Sequence, residues 1–237
     1  MAVVSTKGTK DMTVGSPYSL IVSFALPILL SQVFQQLYNT ADSLIVGKYL
    51  GTDALAAVSS SGTLIFLLVS FFNGTAMGAG VVISRYFGAG NNENVSKAIH
   101  TNIAFGLISG VVLTVVGVIF TPTFLVWMRT DPDVLPEAIE YFRYYFFGAL
   151  ALVMYNICRG IMNAVGDSKR PLYYLIFSSV LNIILDVLFV GVFKWGVWSA
   201  AFATIISQMA SVMLCMVYLC KRGNVFSVEL KKLRIHY

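Results

Sequence analysis

The chain has 237 residues, 57% of them apolar and 11% charged, less than half the ~25% charged share of an ordinary soluble domain. With a mean hydropathy of +0.79 it is excluded from the soluble enzymes. A spanning helix takes about 20 apolar residues, so the chain has room for six or seven spans and not for twelve.

The net charge of +5 arises from 16 basic residues scattered through short hydrophilic gaps. They form no stripe interleaved with aromatics, so no nucleic acid is expected as a partner. Cys158, Cys215 and Cys220 lie in apolar segments without a CxxC spacing, and His100 and His236 are far apart. No metal site, cofactor or disulfide framework is indicated. No HExxH motif and no Ser/Lys or Ser/His pair occurs at helical spacing, so an enzyme is not expected.

In chain order, a polar stretch over 1–16 precedes an apolar run of about thirty residues, too long for the apolar region of a cleaved signal peptide. Six hydrophobic segments follow, at 17–47, 52–86, 94–128, 133–165, 170–192 and 195–221, and 222–237 is a basic tail. They are separated by Gly, Pro and charge clusters such as Gly88-Ala-Gly-Asn-Asn-Glu93 and Gly166-Asp-Ser-Lys-Arg-Pro171, and they lack the alternation of an outer-membrane barrel. The expected fold is all-α: a polytopic membrane protein whose six transmembrane helices form one membrane lobe. An amino terminus in the cytoplasm puts Lys7, Lys10, Arg85, Lys97, Arg159, Lys169, Arg170, Lys221, Arg222, Lys231, Lys232 and Arg234 on that side, against Lys48, Arg129, Arg143 and Lys194 opposite. This obeys the positive-inside bias. Six spans then return the carboxy terminus to the cytoplasm, in the inner (plasma) membrane.

Two acids fall within the spans, in an internal repeat. Asp42-Ser-Leu-Ile-Val-Gly47 in the first segment matches Asp186-Val-Leu-Phe-Val-Gly191 in the fifth. Beyond each match a second glycine, Gly51 or Gly196, opens an Ala-rich run, Ala54-Leu-Ala-Ala57 or Ala200-Ala-Phe-Ala203. An Asn precedes each acid, Asn39 by three residues and Asn182 by four. Both helices run the same way, so the carboxylates are expected at similar depth. Gln32, Gln35, Asn39 and Asp42 follow helical steps, as do Ser178, Asn182 and Asp186, and Thr204, Gln208 and Ser211. Three such stripes imply a shared polar interior. An ionised carboxylate in hydrocarbon costs several kcal/mol, so these acids face a cavity, find partners or take up a proton. Amides and hydroxyls also serve as hydrogen-bonded glue between helices, which stays open for Gln32, Gln35, Ser178 and Ser211. So does a role for Asp186 in orienting Asp42 without titrating.

Pro27 removes a backbone hydrogen bond within the first helix and makes either a static kink or a hinge. Gly74 and Gly78 in the second segment form a small-residue packing pattern. The fourth segment carries Tyr141, Phe142, Tyr144, Tyr145, Phe146, Phe147 and Tyr155, expected mostly as an interfacial belt, with some candidates for lining a substrate cavity. Arg143 and Arg159 are expected to snorkel.

These residues carry a resemblance. Pro27 and Gln35-Gln-Leu-Tyr-Asn39-Thr-Ala-Asp42-Ser-Leu-Ile-Val-Gly47, then Gly160-Ile-Met-Asn-Ala-Val-Gly166-Asp-Ser-Lys-Arg-Pro171, Asn182-Ile-Ile-Leu-Asp186 and Ala200-Ala-Phe-Ala-Thr204 resemble the MATE family of multidrug and toxic compound extrusion transporters, in its DinF-like branch. The resemblance spans residues 17 to 221. It implies export of cationic or amphipathic compounds in exchange for H+ or Na+ by alternating access, with no cofactor. It implies ion coupling at Asp42, Asn182, Asp186 and Thr204, where Na+ could also bind, and a hinge at Pro27. Tyr38, Gln35, Asn39, Tyr141 and Tyr145 are the candidates for a substrate cavity. Family members have twelve helices in two lobes, and this chain has six. It therefore reads as the amino-terminal lobe, with the carboxy-terminal lobe or a second copy of itself as partner beside membrane lipid and a small substrate. The competing readings are a lipid-linked precursor flippase of the same superfamily and a half-length membrane interaction protein without transport of its own.

Overall fold

The computed structural model describes residues 15–221, apart from the side chains at 60, 61, 63 and 64, together with Val228. The stretch 1–14, His236 and the tail residues Lys231, Lys232 and Arg234 lie outside the described residues. Seven α-helices follow one another: α1 (Pro17–Leu50), α2 (Thr52–Gly88), α3 (Asn92–Trp127), α4 (Leu135–Phe147), α5 (Ala149–Ala164), α6 (Lys169–Asp186) and α7 (Trp198–Leu219). A π-helical segment, Val187–Val192, continues α6, and no strand occurs among the described residues. Five helical stretches are long and apolar enough to cross a membrane, and α4 with α5, bent by 47°, makes a sixth when the two are taken as one span. The fourth hydrophobic segment is thus a bent helix pair, broken at Gly148.

Local chemistry sets the element ends. Pro17 opens α1, where its missing N–H costs nothing. The Asn91 side chain caps α3 by accepting from the Asn94 N–H at 3.1 Å, and Lys97 pairs with Glu93 one turn apart at 2.6 Å. Gly51 and Gly196 take positive φ angles of 96° and 95°, which only glycine adopts without strain. They occupy matching places in the two copies of the repeat. Helix α1 continues unbroken through Pro27, and the Ser31 hydroxyl donates to the Pro27 carbonyl at 2.8 Å.

Lipid is as apolar as leucine, so these helices are held by close packing rather than by escape from water. The closest approaches are at glycines. A Cβ added at Gly106 would meet Ile157 at 3.0 Å, at Gly110 Leu150 at 2.7 Å, at Gly117 Phe146 at 1.9 Å and at Gly160 the Ala76 carbonyl at 3.0 Å. Gly74 and Gly78, by contrast, have nothing within 4 Å of such a Cβ, so the packing pattern read from sequence is unused among the described residues, and Gly106, Gly110 and Gly117 of α3 with Gly160 of α5 do the packing.

The interior divides into two apolar clusters. One is built on Ile83, Ile99, Ile103, Ile157, Cys158, Ile161, Leu175 and Cys215, the other on Val46, Ala54, Phe142, Phe146, Val190 and Ala200. On α6, Leu175 belongs to the first and Val190, just beyond the helix, to the second, with Ser178, Ser179, Asn182 and Asp186 buried between them. On α7, Cys215 and Ala200 bracket buried Thr204, Ser207, Gln208 and Ser211 in the same way. A polar layer is held between two apolar ones.

Candidate functional site

The centre of that layer is Asp42, 7% exposed, and Asp186, 0% exposed. Helix α1 brings Asp42 inward on the face that also buries Pro27, Ser31, Tyr38 and Val46; α6 presents Asp186 on the face of Ser178 and Asn182. The two carboxyl groups lie against each other, close enough to hydrogen-bond through a shared proton. Oδ1 of Asp42 and Oδ1 of Asp186 are both buried without a hydrogen-bond partner among the described residues, as are Ser179 Oγ and Gln208 Oε1 in the same layer.

Asn182, fully buried, connects the acids to α7. With its amide nitrogen turned toward Asp186, it donates to Asp186 Oδ2 at 3.0 Å and its oxygen accepts from the Thr204 N–H at 3.3 Å. The opposite orientation leaves only a 3.4 Å contact to the Thr204 hydroxyl, and because a carboxylate can only accept, the first satisfies more groups. The Tyr38 hydroxyl donates to Thr204 Oγ1 at 3.3 Å, which in turn donates to the Ala200 carbonyl at 3.1 Å. Tyr141 and Tyr145 of α4, stacked with centroids 6.2 Å apart, stand within electrostatic reach of Asp42. The broken span carries them there.

Seven of the residues singled out from sequence therefore meet: Asp42, Asp186, Asn182, Thr204, Tyr38 and, through α4, Tyr141 and Tyr145. Asn39 and Gln32 are exposed and Gln35 half-buried, so the α1 stripe straddles two faces of its helix and only its Asp42 edge joins the cluster. The aromatic belt also needs correction: Tyr141, Phe142, Phe146 and Tyr155 are at most 3% exposed and pack inside the lobe, while Tyr144 and Phe147 face outward. An aromatic stack does form past Asp186, where Phe189, Trp195, Trp198 and Tyr144 follow one another with centroid spacings of 5.0, 5.8 and 4.9 Å. Arg159 does not snorkel; its guanidinium donates to Asn73 Oδ1 on α2. Sequence reasoning missed Ser179, and also a stripe of Asn156, Arg159 and Asn163 on α5, which steps of three and four residues would have disclosed. Among the described residues, no group of three or more His, Cys, Asp and Glu side chains could hold a metal ion.

The MatE family model matches residues 27–188. The chain belongs to the MatE family. It is 40% identical over 85% of its length to the probable multidrug resistance protein YoeA of Bacillus subtilis, of which it covers 44%. Two solved MATE structures, one in the bent and one in the straight conformation, match it equally well, at TM-score 0.86 and 28% identity; it covers 49% and 50% of those chains. The chain spans about half the length of the curated relatives it matches, as one lobe of that fold does. MatE transporters are not enzymes, and this chain, a multi-pass membrane protein of apolar helices, matches about half of such a protein.

Proposed function

We propose that this lobe is the ion-coupling half of a multidrug efflux antiporter, which exports cationic or amphipathic compounds in exchange for H+ or Na+. The observation that carries the reading is the Asp42–Asp186 pair. Two carboxylates pressed together out of solvent, each with an unpartnered oxygen, are stable only with a shared cation: a proton between them, or a Na+ toward which Asn182 turns its amide oxygen and Thr204 lends its hydroxyl. Filling and emptying the site changes the charge of a layer that α1, α4, α6 and α7 all border, which supplies the ion-dependent bias that alternating access requires. Tyr38, Tyr141 and Tyr145 offer aromatic faces to a cationic substrate beside the same acids, with Gln35 and Asn39 on the flank of α1. Pro27, buried below the pair, is the hinge about which α1 would respond. The partner is a second six-helix lobe, a carboxy-terminal half or a second copy, set in the cell membrane with both termini cytoplasmic.

Substrate-driven H+ or Na+ movement in proteoliposomes containing the chain together with its partner lobe tests this reading. Asp42→Asn and Asp186→Asn are expected to abolish it while the protein remains folded. Wild-type coupling in either variant refutes the assignment.

A further inference from the structure

The polar layer leaves one charge of the lobe unexplained. Arg159 lies on α5, five residues before its end at Ala164, inside the bent span and half-buried. Helices α2 and α5 touch almost backbone to backbone where Gly160 meets Ala76 and Gly80 meets Ala164, which brings Asn73 within reach of the Arg159 guanidinium. The ion pairs among the described residues are Lys97 with Glu93 and Arg170 with Asp167, so Arg159 has no carboxylate there. A guanidinium carries five N–H donors and stays charged at any working pH; the neutral Asn73 oxygen takes one of them and cancels none of the charge.

The surroundings are suited to an amphiphile. On α5, Asn156 and Asn163 share the Arg159 face, and Asn163 Oδ1 is buried without a partner among the described residues. On α2, Met77, one turn from Asn73, is 75% exposed, and the open glycines Gly74 and Gly78 leave a shallow apolar flank beside it. Asp42 lies nine residues before the turn at Gly51 and Asn73 twenty-two after it, so along their helices Asn73 is roughly 20 Å farther from that turn. The lobe is thus bipolar, with carboxylates toward one end and an uncompensated guanidinium toward the other.

We propose that Arg159, seated by Asn73, binds the oxyanion head of an amphipathic molecule, a phosphate or carboxylate whose apolar tail lies along the Gly74–Met77–Gly78 face. The planar fork of arginine suits two oxygens of such a head at once. This site is separate from the carboxylate pair, and neither depends on the other.

Two sources of the head group are distinguishable, a lipid of the bilayer and a free amphiphile. The purified chain in phosphatidylcholine nanodiscs is titrated with octyl phosphate and, as a control, octyltrimethylammonium; native mass spectrometry of the same protein counts phosphatidylglycerol retained from a mixed membrane. Wild type is expected to bind octyl phosphate at least about tenfold more tightly than Arg159→Gln. Asn73→Asp, which gives Arg159 an internal carboxylate and keeps the fold, is expected to lose the binding as well, and it carries the test where Arg159→Gln fails to fold. Retention of phosphatidylglycerol by wild type and not by the variants, without octyl phosphate binding, supports the site with lipid as the source. Equal binding by wild type and both variants, no binding of either anion, or the same Arg159 dependence for octyltrimethylammonium overturns the proposal.

Discussion

Replacing Gly148 by alanine sets a methyl group at the break between α4 and α5, where its Cβ would stand 2.4 Å from Cγ1 of Ile205 and 3.2 Å from Cδ1. Ordinary contacts begin near 3.4 Å, so the overlap with Cγ1 is about an ångström. Ile205 lies within α7, where a β-branched side chain is held in essentially one rotamer and cannot swing aside. The backbone of the bend has to move instead. Over-packing of this size costs about 2 kcal/mol, which for a chain of this length lowers Tm by about 4–8 °C. Cys158 and Cys215 are fully buried, so unfolding in detergent can be followed by their reaction with a thiol-activated dye. Gly74→Ala is the matched control: its Cβ meets nothing, and replacing a helical glycine gains up to about 1 kcal/mol. Adding Ile205→Ala to Gly148→Ala removes the colliding atoms, so the double variant should be more stable than the sum of the single effects by about 1 kcal/mol or more. A Gly148→Ala Tm within about 1 °C of wild type, or simple additivity with Ile205→Ala, refutes the account of the bend as a packed joint.

Other expectations follow from single contacts. Thr204→Val removes the acceptor of Tyr38 and a donor to Ala200 and should weaken half-maximal ion-driven efflux by about two- to tenfold, the worth of one ordinary hydrogen bond, whereas Asp42→Asn eliminates coupling. Arg170→Gln leaves Asp167, 2% exposed, without its cationic partner and should cost about 3 kcal/mol in thermal unfolding. Tyr218→Phe deletes only the hydroxyl that accepts from Arg170 at 2.7 Å and should cost about 1 kcal/mol; the reverse order would refute the pairing. Maleimide applied to the folded chain should label Cys220, which is partly exposed, and spare Cys158 and Cys215, as intact-mass measurement before and after denaturation would show.

The acids at 42 and 186 could be found in the sequence because an ionisable side chain within a long apolar run is costly wherever it points, and composition alone exposes the cost. The repeat around them could be found because glycines with positive φ have few substitutes. The orientation of the α1 stripe could not. A period of 3.6 says which residues lie together on a helix, and not which of three neighbours they meet; here the line from Gln32 to Asp42 crosses from an outward face to the interior. The break at Gly148 was hidden because the residues on either side of it are as apolar as an unbroken span. The anchoring of Arg159 was hidden for a related reason: its partner Asn73 is 86 positions away, and no local pattern links the two.

The two halves of the repeat are not copies in backbone. From Asp42 to Gly51 the chain takes nine residues, in α-helix as far as Leu50; from Asp186 to Gly196 it takes ten, the extra one falling between Gly191 and Gly196, and a π-helical turn spans Val187–Val192. There the Phe193 N–H reaches back five residues to Leu188, and the ring of Tyr49 from the other half presses on Gly191 at 3.2 Å from where a Cβ would stand. A duplicated motif would hold its two acids as mirror equals, with no reason for either to be served first. In the backbone that equivalence is broken: Asp42 stands within regular α-helix, and Asp186 ends α6 where the wider π-helical coil begins. The pair therefore joins an acid within regular α-helix to one followed by a turn whose hydrogen bonds span five residues rather than four.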